Sequence, residues 1–317
     1  MENPPSILQL HAIDVSNWIP DEIYGNYPEG ARSKSAIFPP ATLDIEFIKK
    51  GRRYLYKRSD KRYPDQFWGE IVAYLIGGIL DVPVPPAFAA FHEGNMDCGA
   101  LIEWFYEDGK AQFFAGGHYM QRLMPDYDRK KGRQHNFQSI QAMSRKFANM
   151  GFLRQDWAMW WCDAFVFDSL IGNTDRHQDN WGLLDRRSRN LTSNLSYAPL
   201  FDNGTSLGHE LQTERTKSWH KDQFTAYLAR GRHHAKWLKT DDHRQNHIEV
   251  LAHLRHNFPV QLAKSITKLE NFDVVLLNSQ LEKLTSLALR VPLTEERKNL
   301  YIKLINLRRQ RILEAKL

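Results

Sequence analysis

The stretch from Val166 to Gly208, VFDSLIGNTDRHQDNWGLLDRRSRNLTSNLSYAPLFDNGTSLG, limits what this chain can fold into more than any other. An apolar helix from Trp157 runs into it and is predicted to stop at Ile171, because Gly172 and Asn173 break the pattern. A polar loop follows, then two short strands around Trp181 to Leu184 and Leu195 to Phe201, separated by a turn-rich insert. Polar groups crowd where the apolar pattern ends. Asp175 is followed five positions later by Asn180, and Asp202 comes directly after the second strand, in Phe201-Asp202-Asn203-Gly204.

Upstream, Arg52 to Lys57 reads as a strand ending in Lys57, and Gln66 to Leu80 as an apolar-rich helix carrying Glu70. Taken singly, Lys57 is an ordinary solvated strand lysine and Glu70 a helix-surface acid. Together with the downstream Asp-Asn-Asp set they form an ordered series: lysine, glutamate, loop aspartate, loop asparagine, aspartate in a turn. This is the order used for phosphoryl transfer in protein kinases, where a strand lysine oriented by a helix glutamate meets the phosphates. There, too, a loop Asp takes the substrate hydroxyl proton, and an Asn and a second Asp hold magnesium. The transferred group spreads negative charge over its oxygens, so the protein supplies mainly positioning and cations.

The remaining chain is consistent with two lobes. Residues 6 to 19 partly alternate and are predicted to form a strand. Gly30, Ser33, Lys34 and Ser35 sit in a turn-rich loop before Ile37 and Phe38 and could bring backbone N–H groups and a cation to phosphate oxygens, or be a plain surface turn. Val82 to Phe91 is a proline-punctuated connection into a strand, and Gly99 to Tyr106 and Gln112 to Leu123 read as two more strands. Gln121, Arg122 and Leu123 then form the expected crossing point between lobes, with Gln121 and Leu123 offering backbone groups to an adenine edge. Pro125 to Asn136 is the predicted linker, and the rest is helical. The expectation is an α+β fold: residues 1–124 a small, mostly antiparallel lobe with one helix, residues 125–317 a larger helical lobe, and nucleotide in the cleft between them.

At 317 residues and 42% hydrophobic content the chain can bury a sizeable core. Cys98 and Cys162 give neither a disulfide framework nor a zinc spacing, and the start MENPPSILQLHAI has no basic region ahead of an apolar run; a cytoplasmic protein is expected. The apolar run Ile71 to Leu80 is too short to span a bilayer. The net charge of +6 is spread over separate clusters at Arg129 to Arg133, Arg186 to Arg189 and Arg308 to Arg311, so no direct nucleic-acid binding is expected.

The string Ile171-Gly172-Asn173-Thr174-Asp175-Arg176-His177 with Asn180, followed by Ala198-Pro199-Leu200-Phe201-Asp202 and preceded by the helix Phe67 to Leu80 leading to Val82-Pro83, resembles the HipA-like kinases, toxin kinases of bacterial toxin–antitoxin systems. The resemblance covers roughly Gly30 to the C terminus. It implies ATP and Mg²⁺ as cofactors, Asp175 as catalytic base, Asn180 and Asp202 as metal ligands, Lys57 as the phosphate lysine and Gly30 to Lys34 as the phosphate loop. It also implies a serine in that loop, Ser33 or Ser35, whose autophosphorylation switches activity off. The implied substrates are seryl or threonyl residues of proteins, aminoacyl-tRNA synthetases among them. Full-length relatives carry a further N-terminal subdomain where only Met1 to Glu29 precedes Gly30 here, so a small partner or antitoxin is expected to supply it.

Three other readings compete. A pseudokinase would keep the fold and bind nucleotide without reaction, although intact metal ligands oppose it. A nucleic-acid-binding regulatory module would rest on the basic pI of about 9.1 and the Arg-rich end. A hydrolase would rest on Gly204-Thr205-Ser206-Leu207-Gly208, which matches GxSxG, but the helices after Thr213 leave no sheet for an acid and a histidine. Ser206 is instead expected in the turn after Asp202. Of the 13 histidines most are expected at the surface, with His177 holding loop geometry. Trp157, Trp160 and Trp161 are read as core and not as a base-stacking platform.

Overall fold

The computed structural model describes residues 5–24, 33–186 and 193–315. In chain order its strands are β1 (Ile13–Asp14), β2 (Ile19–Pro20), β3 (Lys34–Phe38), β4 (Tyr54–Arg58), β5 (Ala87–His92), β6 (Asp97–Glu103), β7 (Gln112–Ala115), β8 (Gly182–Asp185) and β9 (Leu195–Tyr197). The helices are α1 (Trp68–Ile79), α2 (Gly116–Leu123), α3 (Phe137–Asn149), α4 (Trp157–Ile171), α5 (Thr213–Thr216), α6 (Lys221–Arg230), α7 (His247–Asn257), α8 (Pro259–Glu270), α9 (Val274–Thr285) and α10 (Glu295–Glu314). They fall into two compact units, each assembled from separated segments.

The first unit comprises Met1–Phe105, Asn203–Ser218 and Asp273–Leu304. Its sheet has six strands in the order β1-β5-β6-β4-β3-β2, antiparallel except for β1 against β5. The single strand expected over residues 6 to 19 is two short ones at opposite edges, because Val15, Ser16 and Asn17 turn the chain between them. Helix α1 shows why one helix does not suffice. Trp68 through Gly77 are all buried, so it has no polar face to give to water. The sheet covers one side through β5 and β6, and α9 covers another from some 200 residues further along the chain.

The second unit comprises Tyr106–Asp202, Trp219–Phe272 and Ile305–Leu317. Helix α4 is its axis, buried along nearly its whole length and packed by α7 and α8. It begins at Asp156, whose side chain caps the helix by accepting from Met159 N at 3.0 Å, and ends at Gly172 in the left-handed region, φ +67°. Its own Trp161 and Phe165 pack against Trp181 and Phe137, and Tyr197 stacks on its Trp160 with ring centroids 4.2 Å apart. Trp161 Nε1 donates to the Tyr197 hydroxyl at 3.0 Å, so these tryptophans are core.

Two expectations fail in this unit. Gln112 to Leu123 is not one strand: β7 pairs with β8 as far as Ala115 opposite Gly182, and α2 begins at Gly116. Gly116 lies so close to the Trp181 indole that any side chain there would collide with it, and Gly117 N donates to Gln178 O at 2.7 Å. Gln121 and Leu123 therefore sit in a helix whose own i to i−4 bonds use their N–H groups, and they present no extended edge to an adenine. Nor is Pro125 to Asn136 a linker, since residues on both sides of it belong to the same unit; the chain passes from the first unit to the second at Phe105 and Tyr106.

Candidate active site

In the first unit, strand pairing puts Lys57 in the middle of the sheet, opposite Lys34 on β3 and Ala100 on β6. Like charges facing each other across a strand pair repel. Glu70, in the first turn of α1, offsets this: Lys57 Nζ lies 2.7 Å from Glu70 Oε1, with both side chains at least 95% buried. A buried pair is tolerable only when its remaining polar atoms are satisfied. Glu70 Oε2 accepts from Asn203 N at 2.8 Å, and Asn203 is the residue after Asp202. Successive residues of β3 face opposite sides, so Ser35, opposite Tyr56, does not share a face with Lys34 and Lys57. Ser35, Tyr56 and Arg58 instead line a separate cavity of about 590 Å³ together with Trp18 and Asp21. Ser33 is exposed, and its Oγ accepts from Arg58 Nη2 at 2.6 Å. Gly30 lies outside the described residues.

In the second unit, the loop after α4 is fixed by bonds between its own side chains and backbone. Asn173 Oδ1 accepts from Asp175 N at 2.9 Å, while the Asp175 carbonyl accepts from His177 N and Asn180 Nδ2, both at 2.7 Å. His177 Nδ1 accepts from Asp179 N at 3.2 Å, which closes the turn. Asp175 and Asn180 are thus brought together, with the Asp175 side chain half-buried and Asn180 buried.

Arg176, between them in sequence, is fully buried and is the residue that the motif reading passed over. Its Nε and Nη2 grip the Asp168 carboxylate at 3.1 and 2.7 Å; its Nη1 donates to Asn180 O at 3.1 Å and to Phe201 O at 2.5 Å. One guanidinium therefore holds the backbone of Asn180 and of the residue before Asp202. Asp168 accepts further from Asn173 Nδ2 at 3.2 Å and faces His233 Nε2 at 3.3 Å. Burial alone would raise the Asp168 pKa, but Arg176 and His233 outweigh it and hold the carboxyl down at about 2. The sequence signal for this hub was Asp168, an acid one turn before the end of a largely apolar helix.

The donor set suits a divalent cation bound through oxygen. With Nδ2 of Asn180 spent on the Asp175 carbonyl, its Oδ1 is the atom left to act as a ligand, and Asp202 adds a carboxylate. Asp202 sits in the left-handed region at φ +58°, a conformation that costs energy for a non-glycine residue and clusters at functional sites.

Most histidines were expected at the surface, and ten of the 13 are exposed or half-buried; His135, His233 and His247 are buried, and His234 is half-buried. His135 Nε2 accepts from Trp181 Nε1 at 3.0 Å, and its Nδ1 lies 3.3 Å from His234 Nδ1. Arg244 bonds His234 Nε2 at 3.0 Å. Desolvation lowers the pKa of His234 and of His247 to about 3, so both are neutral imidazoles in the fold. Nothing in the sequence distinguished these from surface histidines, because the elements that bury them come from distant parts of the chain. Among the described residues no group of three or more His, Cys, Asp or Glu side chains forms a separate metal site. Ser206 is buried and its Oγ donates to Asn203 O at 2.6 Å, as befits a turn residue and not a nucleophile.

No protein-family model and no curated protein sequence matches the chain. Solved structures do. The chain superposes on the Helicobacter pylori proinflammatory kinase CtkA with a TM-score of 0.71 at 18% identity, covering 96% of both chains. It also superposes on HipA of Shewanella oneidensis MR-1, solved in complex with HipB and its operator DNA, with a TM-score of 0.52 at 11% identity, covering 93% of this chain and 68% of that one. The chain has a HipA-like kinase fold. Within that HipA-like fold, the Lys57–Glu70 pair belongs to the sheet-bearing unit and the Asp175, Asn180 and Asp202 set to the helical unit. Among the described residues no helix is long and apolar enough to cross a membrane.

Proposed function

We propose that this protein transfers the γ-phosphoryl group of ATP to a Ser or Thr hydroxyl of a protein. Asp175 accepts the hydroxyl proton as the oxygen bonds to the γ-phosphorus. The bond from that phosphorus to the bridging oxygen breaks, and ADP leaves. Lys57, oriented by Glu70, neutralises phosphate charge. Asn180 and Asp202 would hold Mg²⁺, which offsets charge on the phosphate oxygens when bound. The observation that carries this reading is the loop itself: Asn180 Nδ2 tied to the Asp175 carbonyl, which leaves its Oδ1 as the atom that would bind a metal, with Arg176 fixing the Asn180 and Phe201 carbonyls.

Asp175→Ala is expected to abolish phosphate transfer from labelled ATP to any protein in a bacterial lysate while leaving the thermal melt unchanged; retained transfer rejects the assignment. Asp202→Ala is expected to weaken Mg-ATP binding by calorimetry. Of the two candidate autophosphorylation sites, Ser33 is favoured, because its hydroxyl is exposed and Arg58 stands beside it to receive a phosphate. Mass spectrometry after incubation with ATP should place phosphate on Ser33 and none on Ser35. A toxin–antitoxin setting, with an aminoacyl-tRNA synthetase as acceptor and a small partner protein, predicts growth arrest on expression of the wild type but not of Asp175→Ala.

A further inference from the structure

The chain carries three basic runs, and the described residues include two of them in full and Arg186 of the third. At the C-terminal run, Arg308 Nη1 donates to Ile171 O at 3.0 Å, and Arg309 donates to Leu269 O at 2.9 Å and Glu270 O at 2.6 Å. These cations cap the carbonyl ends of α4 and α8, which is where positive charge stabilises a helix. Arg186, of the middle run, donates to Ser196 Oγ at 2.6 Å. The segment from Arg122 to Arg133 differs. It holds five cations, Arg122, Arg129, Lys130, Lys131 and Arg133, against two acids, Asp126 and Asp128. Arg129 is paired with Asp179 at 3.0 Å, but among the described residues Arg122, Lys130, Lys131 and Arg133 make no ion pair, and all four are exposed.

After α2 ends at Leu123, the rest of this segment is a braced loop. Asp128 Oδ1 accepts from Lys131 N at 3.1 Å, Gln134 Oε1 accepts from Asp128 N at 3.1 Å, and Gln134 Nε2 donates to Asp126 O at 2.9 Å. It is also fastened to the catalytic loop. Gln178 Nε2 donates to Arg129 O at 2.5 Å, Arg129 binds Asp179, and Gly132, at φ +59°, presses so closely on Gln178 that a side chain there would collide with it. Gln178 and Asp179 are three and four residues after Asp175. Holding unpaired like charges together on a stiff loop costs self-repulsion, which an anionic partner would relieve.

We propose that the segment from Arg122, at the end of α2, to Arg133 binds an acidic stretch of the protein substrate, beside the hydroxyl that Asp175 serves. The inference rests on the kinase reading for what that hydroxyl undergoes, but the binding itself does not need turnover. A protein partner fits better than a nucleic acid. The four unpaired cations of this segment lie within twelve residues, a patch of peptide size, while Arg308 and Arg309 of the C-terminal run are spent on helix ends.

The test uses labelled serine peptides that differ only in flanking residues, glutamates in one and lysines in the other. Binding to the full chain is read by fluorescence anisotropy and transfer by labelled ATP. The wild type should bind the glutamate peptide about tenfold more tightly than the lysine peptide, the sum of a few exposed charge contacts. The triple variant Lys130→Glu, Lys131→Glu and Arg133→Glu should reverse that preference with ATP affinity unchanged. Should that variant not fold, the corresponding glutamine triple should abolish the preference. Equal binding of the two peptides, or a preference that survives the substitutions, overturns the proposal, as does single-stranded RNA displacing the glutamate peptide at lower concentration. Tight binding of the glutamate peptide without phosphate transfer upholds the docking surface and rejects the kinase reading.

Discussion

The two parts of the proposed machinery are held in place by different means. Lys57 is positioned by sheet register, between β3 and β6, and is paired to a helix residue whose other oxygen is bound to the backbone. Asp175 and Asn180 sit on irregular chain, and their geometry rests on side chains, above all on one guanidinium with four bonds. A strand can aim a cation with its own ladder. A loop needs an internal brace, and here the brace is a buried charge that cannot be removed without stranding its counterion.

That contrast predicts unequal costs. Arg176→Ala should be the most damaging, losing about 3–5 kcal/mol of stability in urea unfolding because the Asp168 charge is left buried and alone. Arg176→Lys should recover part of the stability but little transfer activity, since an ammonium cannot serve a carboxylate and two carbonyls at once. Glu70→Gln should cost less, about 2 kcal/mol, because an amide oxygen still accepts from Lys57; its larger effect should be weaker ATP binding. Equal losses for Arg176→Ala and Glu70→Gln would erase the distinction.

A third prediction concerns pH. His234 and His247 have folded pKa values lowered to about 3, below the ordinary 6.5, so on unfolding at pH 5 each takes up a proton. Stability is therefore present above pH 6.5 and is lost as pH falls toward 3, by about 2 kcal/mol per histidine between pH 6.5 and 5. His247→Gln should flatten that slope in melts recorded across the range. The smallest effect expected is for Asp156→Ala, which removes the cap of α4 and should cost about 1 kcal/mol by the same measurement.

Much of the site could be read in the sequence because regular elements deliver it. The strand ending near Lys57, the helix carrying Glu70 and the apolar helix before Asp175 are all visible from periodicity and breakers. What could not be read depended on distant partners. Gln112 to Leu123 alternates well enough for a strand, but the Trp181 ring and the Gln178 carbonyl meet Gly116 and Gly117 and start a helix there. The basic segment after Met124 looked like a linker because its anchor, Gln178, lies some 50 residues away. From Trp68 to Gly77 only Glu70 is charged and every residue is buried, and that near-continuous apolarity was the available hint that α9 covers a second side of α1.

Arg308 has a consequence in time as well as in space. Its guanidinium closes the carbonyl end of the helix that leads into the Asp175 loop, and it lies 137 residues downstream of the carbonyl that it binds. While the ribosome is still making that intervening stretch, the Ile171 carbonyl lacks this donor. The carbonyl at the entry to the Asp175 loop therefore gains this partner only after Arg308 itself has been made.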